Sequence, residues 1–116
     1  MRKKIILTII AFLLTLSGVS EGVILDGAIR GRSGLSYGSI RYEFKSLDIT
    51  IRNRTKYNVS FGGTMIFLDK NYNVIARAEL LKAKIKRHSS RRYKAFFSEG
   101  TGEDAKKARY LEWELF

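Results

Sequence analysis

The stretch VSFGGTMIFLDKNYNVIARAELL, Val59 to Leu81, decides the fold class. Val59, Phe61, Gly63, Met65 and Phe67 recur at every second residue and so share one face of an extended chain. A polar segment follows, Asp69 to Asn73, whose asparagines suit a hairpin turn. The return segment places Val74, Ala76, Ala78 and Leu80 on one face in the same period. Strand, turn and strand is therefore the expected unit.

The period continues on both sides. Leu47, Ile49 and Ile51 alternate with Asp48, Thr50 and Arg52. Tyr93, Ala95 and Phe97 alternate with Lys94 and Phe96, and Leu111, Trp113 and Leu115 with Tyr110, Glu112 and Glu114. GVILDGAIRG and LSYGSIRYEF upstream are weaker strand candidates, each interrupted by glycine. TGEDAKKA predicts one short helix, with Thr101 as N-cap, acids in its first turn and lysines in its last. The expected architecture is all-β: an immunoglobulin-like antiparallel sandwich of six or seven strands with a short helix near the C-terminus. A small barrel is the alternative. The alternation favours sheets with one solvated face.

Residues 1–20 read as a signal peptide. Arg2, Lys3 and Lys4 precede the apolar run IILTIIAFLLTL and the small residues SGVS, with cleavage expected after Ser20. The run is shorter than the roughly 20 residues of a spanning helix. Residues 21–116 then form a single domain. Losing residues 1–20 removes three of the 22 basic residues and none of the 11 acidic ones, which lowers the net charge from +11 to +8. With no cysteine there is no disulfide framework, thiol nucleophile or cysteine-based zinc site. A basic, cysteine-free exported domain points to a bacterial envelope, in the periplasm or outside the cell. There the sequons Asn53-Arg54-Thr55 and Asn58-Val59-Ser60 carry no glycan.

Between Leu47 and Phe97 the order is ITIRNRT, then MIFLDKNYNVIARAEL, a basic polar stretch and YKAFF. This pattern resembles bacterial FxLYD-type immunoglobulin-like domains, over roughly half of residues 21–116. Phe67-Leu68-Asp69 stands where that family reads Leu-Tyr-Asp, and the hairpin KNYN lacks the usual glycine. The resemblance implies a β-sandwich at the cell envelope without enzymatic activity. It transfers no catalytic residue.

Candidate chemistry is sparse. His88 is the single histidine, so imidazoles alone cannot cluster on a metal. A triad built from His88 with the adjacent Ser89 or Ser90 is disfavoured, because triads join separated segments. Glu112 and Glu114 would share one face of a terminal strand, and a small hydrolase using that pair is one alternative function. Gly100 to Ala105 matches G-x-G-x-x-A but has no βαβ unit after it. Asp69, Asn71 and Asn73 are spaced like the first ligands of a calcium loop, without its later glycine and glutamate. No cofactor or metal is expected.

The densest signal is cationic. Lys82, Lys84, Lys86, Arg87, Arg91, Arg92 and Lys94 lie within thirteen residues and no acid interrupts them. Period two gives a strand, a turn and a strand with cationic flanks. Solubility and protection of a sheet edge by lysines are the bland explanations. The functional one is a contact surface for an anionic envelope component or an acidic protein. Tyrosines interleaved with these cations leave an OB-like nucleic-acid binder as a further alternative, but export argues against a nucleic-acid partner and none is expected. The expected function is a non-enzymatic binding or structural module of the envelope.

Overall fold

The alternating segments form seven antiparallel strands and one helix in the computed structural model, which describes residues 26–115. The signal-peptide reading of residues 1–20 lies outside the described residues. In chain order the elements are β1 (Gly27–Ala28), β2 (Leu35–Tyr42), β3 (Ser46–Asn53), β4 (Val59–Leu68), β5 (Val74–Ile85), β6 (Ser89–Glu99), α1 (Gly102–Lys106) and β7 (Tyr110–Leu115). The all-β expectation holds, with seven strands and the short helix ahead of the last one.

All seven strands belong to one sheet in the order β1-β2-β3-β6-β5-β4-β7. The sheet curls because β6 changes partner along its length. Ser89–Phe96 pairs with β3, whereas Phe96–Glu99 pairs with Glu79–Arg77 of β5. The two halves of the sheet thus become facing layers. Tyr42 meets Phe67 edge-on at 6.2 Å, Phe61 meets Tyr93 at 6.1 Å, and Tyr37 meets Trp113 at 5.7 Å. Between the layers lie Leu47, Ile49, Ile51, Phe61, Met65, Phe67 and Leu80, all fully buried. Burial of each such side chain contributes about 1.5–3 kcal/mol.

β5 keeps one face inward despite its length by means of a bulge. Phe61 pairs with Ala83 but Gly63 pairs with Leu80, so β5 has one residue more than β4 in this interval. Ala76, Ala78 and Leu80 point inward before it, and Ala83 and Ile85 after it. Lys82 and Lys84 consequently face solvent. Gly62 sits opposite the bulge, where a Cβ would come within 2.7 Å of the Lys82 Cα. A second slip, between Phe67 and Leu68, leaves Val74 partly exposed rather than on the inner face expected for it.

Beyond the bulge β5 and β6 separate, and side chains replace the missing ladder. The Tyr93 hydroxyl reaches Ala83 O at 3.1 Å and Phe61 O at 3.2 Å, sharing its one hydrogen between them. The Arg91 guanidinium donates to Lys84 O at 3.2 Å.

The helix is fixed by a capping box. Thr101 Oγ1 accepts from the Asp104 amide, and the Asp104 carboxylate accepts from the Thr101 amide. Gly102 lets it dock on the β2–β3 turn, donating to Phe44 O where any Cβ would collide with Glu43 O. The G-x-G-x-x-A pattern is thus a turn into a docked helix.

Gly62→Ala is expected to destabilise the fold by about 2 kcal/mol or more through backbone overpacking, a fall in Tm of roughly 8 °C or more. Gly38→Ala meets only Asp26 Cβ at an ordinary 3.5 Å and should leave Tm nearly unchanged. Thermal denaturation of the two variants side by side checks the contrast.

Candidate functional site: a basic pole

Three connections meet at one end of the curled sheet. They are the β1–β2 loop, the β3–β4 loop and the β5–β6 turn. Arg54 N donates to Gly34 O at 2.9 Å, joining the first two. His88 N donates to Thr55 O at 3.3 Å, and Arg87 N to Asn58 Oδ1 at 3.0 Å, joining the last two.

Asn53 at the end of β3 is the anchor of this arrangement. It is buried, and its Oδ1 accepts from Thr55 N and Thr55 Oγ1 at 2.9 and 2.7 Å. Its Nδ2 faces Tyr57 O, Ile85 O and Lys86 O at 2.8, 3.1 and 3.2 Å. One amide therefore ties the β3–β4 loop to the end of β5. Both sequon asparagines, Asn53 and Asn58, are spent on building the pole.

The seven cations of the basic run divide between two places. Lys94 and Arg92 lie on the outer face of β6 and are already engaged. Lys94 Nζ pairs with Asp48 at 3.3 Å and Glu43 at 3.7 Å, both of which also hold Arg41. Arg92 donates to Thr50 Oγ1 at 2.8 Å and Ser39 O at 3.0 Å. The other five gather at the pole. Arg91 lies there against the Tyr93 ring at 5.9 Å. Lys82, Lys84, Lys86 and Arg87 are exposed and their side chains make no hydrogen bond or ion pair among the described residues.

The loops add cations that the linear run does not contain. Arg32 comes from the β1–β2 loop, Arg54 and Lys56 from the β3–β4 loop. Residues 31–35, 53–60 and 82–91, which build this end, contain no acid. Between the β3–β4 loop and the β5–β6 turn lies an open basin of about 610 Å³, lined by Lys56, Tyr57, Asn58, Lys86 and Arg87. A smaller hollow of about 280 Å³ is lined by Lys84, Ile85, Lys86, Ser89, Ser90 and Arg91. Lys86 borders both. The sequence signal for the added residues is the run Arg52, Arg54, Lys56, thirty residues from the dense one; the Asn53 amide and the hydrogen bonds of Arg87 N and His88 N to the β3–β4 loop join them.

In the strand order the sheet edges are β1 and β7, but beyond Glu79 β5 has no ladder to β6, so Lys82 and Lys84 also flank a locally open edge that lysines protect. β7 presents Glu112 and Glu114 on its exposed face, opposite Ile66 and Thr64 of β4.

The remaining candidates resolve simply. His88 occupies a left-handed position, φ 53°, in the β5–β6 turn, and its side chain is exposed. The Asp69 carboxylate is taken up by the Asn71 and Asn73 amides at 2.8 and 2.9 Å, a turn rather than a cation loop. No group of three or more potential metal-ligating His, Asp or Glu side chains occurs among the described residues. No helix among them is long and apolar enough to cross a membrane. Comparison with known proteins finds no matching family model, curated protein or solved structure.

Asn53→Ala should lower stability by about 1–3 kcal/mol by orphaning buried carbonyls and amides, with faster hydrogen exchange at the Thr55 amide. Differential scanning calorimetry and exchange mass spectrometry read the two effects.

The ion network implies an acid limit. The Lys94 ammonium hydrogen-bonded to Asp48 holds that carboxyl below its ordinary value of 3.8, and the Asn73 and Asn71 amides do the same for Asp69. A carboxyl depressed in the folded state contributes its stability fully above the ordinary value and loses it as pH falls through the depressed one. Tm is therefore expected to fall below pH about 4. In Asp48→Asn the fall should be shallower, from a lower starting Tm.

Proposed function

We propose that this chain is a non-enzymatic, exported module of the bacterial cell envelope that holds an anionic envelope component at its basic pole. The observation that carries the reading is the convergence of the β3–β4 loop and the β5–β6 turn on an open, acid-free basin bordered by Lys56, Lys86 and Arg87. Cations that are unpaired, exposed and concentrated repel one another, and an anionic partner relieves that repulsion. Arg87 offers a planar fork for two oxygens, and the lysines offer compact charges on flexible stems. Export rests on the sequence of residues 1–20. The immunoglobulin-like type and the envelope setting rest on the resemblance to FxLYD-type domains.

Two observations weigh against the hydrolase alternative. Glu112 and Glu114 lie on the exposed face of an edge strand, and the groove that Glu112 borders does not include Glu114. A nucleic-acid partner is set aside by the expected compartment.

The test is co-sedimentation with vesicles containing about 30% phosphatidylglycerol, and with neutral phosphatidylcholine vesicles, at low and high salt. Binding should occur to the anionic vesicles only and fall steeply as salt screens it. Lys56→Glu/Lys86→Glu/Arg87→Glu should abolish it. A charge-matched control at the opposite end, Lys45→Glu/Lys70→Glu/Lys107→Glu, should retain most of it. Equal loss in both triple variants would mean that net charge, not the pole, governs binding.

A further inference from the structure

The curled sheet leaves a seam open between β1–β2 on one side and β7 on the other. A groove of about 680 Å³ runs along it, within the size range of small-molecule sites. Tyr37 of β2 and Trp113 of β7 meet across it, with ring centres 5.7 Å apart. At one end Tyr72, from the β4–β5 turn, stacks on Tyr110 with centroids 4.5 Å apart and planes 9° from parallel. Asp26 and Arg30 line the β1 side, Arg109 and Glu112 the β7 side.

Three features mark this groove. The Trp113 Nε1 is buried without an acceptor, the only such side-chain atom among the described residues. A buried donor of this kind calls for a partner. Tyr72 takes φ 65° to close the β4–β5 turn, its amide donating to Asp69 O at 3.0 Å, and the turn leaves the residue 62% exposed beside Tyr110. It builds an aromatic platform rather than core. The charged lining is balanced, two arginines against two carboxylates, and none of the four side chains makes an ion pair or hydrogen bond within the described residues.

From these we infer that the groove is a saccharide-binding site, separate from the basic pole. A pyranose ring presents a face of C–H bonds, positive at their hydrogens, to the negative face of an aromatic ring. Its hydroxyls both donate and accept, which matches guanidinium donors and carboxylate acceptors on opposite walls. A neutral polyol places no net charge in a lining that has none. Tyr110 and Trp113 face opposite sides of β7, so the groove wraps the edge of that strand and the Tyr72–Tyr110 stack is its stacking platform. The occupant is thus a short neutral saccharide seated on that platform.

Trp113 is the only tryptophan in the chain, so its emission reports on the groove alone. The full chain is titrated with chitotetraose, cellotetraose and maltotetraose, following tryptophan fluorescence and saturation-transfer NMR of the sugar. At least one sugar should bind saturably, with an affinity unchanged between low salt and about 0.5 M salt. Tyr110→Ala and Tyr72→Ala should each weaken it by about tenfold, with Tm lowered only by the loss of the tyrosine stack. Lys56→Glu/Lys86→Glu/Arg87→Glu should leave it intact, so this site and the anionic pole stand or fall separately. Absence of both a fluorescence change and saturation transfer with all three sugars overturns the inference. So does binding that survives both tyrosine substitutions.

Discussion

The bulge in β5 opposite Gly62 is the constraint on which the rest depends. A strand of twelve residues in strict alternation would carry the parity of Ala76, Ala78 and Leu80 on to Lys82 and Lys84 and bury both. One extra residue reverses the parity, so Ala83 and Ile85 turn inward and the lysines outward. The same region is where β5 parts from β6. β6 is then free to pair with β3, which joins the two halves of the sheet and curls them over one core. Tyr93 makes the parting tolerable by giving its hydroxyl to carbonyls that would otherwise be orphaned.

Much of this was legible in the sequence. Period two located β3, β4, the first part of β5, the inward face of β6 and β7, because each has one face buried and one solvated. The capping chemistry of Thr101 and Asp104 located the helix, a local signal that needs no tertiary context. What alternation could not reveal was continuity. VIARAELL and the start of the basic run, through Ile85, form one strand, and the bulge at their junction erases the periodic signal where it matters. Nor does any local rule state that β6 serves two partners; the lengths and faces of β3 and β5 decide that together.

The candidate site shows the same division. Four exposed, unpaired cations of the dense run, with Arg91, do lie together. Lys94 and Arg92 do not join them, since residues two apart on β6 point at β3 side chains, where Asp48 and Thr50 wait. Arg54 and Lys56 do join them, through an asparagine whose role is invisible without the structure. A linear cluster of charge is therefore a poor map of a surface when a strand divides it between a face and an end. The saccharide groove is legible in no linear segment, because its walls come from the two ends of the described chain and its platform from a turn between them.

The two surfaces follow from one geometric fact. Curling a single sheet without closing it leaves a seam along the strands and an end across them. The end collects loops and turns, where charge is cheap to expose; the seam collects inward-facing aromatics that lack a facing strand. At the seam the balanced lining leaves neutral chemistry. At the end, Lys84, Lys86 and Arg87 remain without an acid within reach, although the same chain neutralises Lys94 and Arg41 with Asp48 and Glu43 a few strands away. The chain carries 11 acids against 22 basic residues, and no acid lines either hollow at the pole. On the proposed function, self-repulsion there costs the free protein stability and a bound anion offsets it.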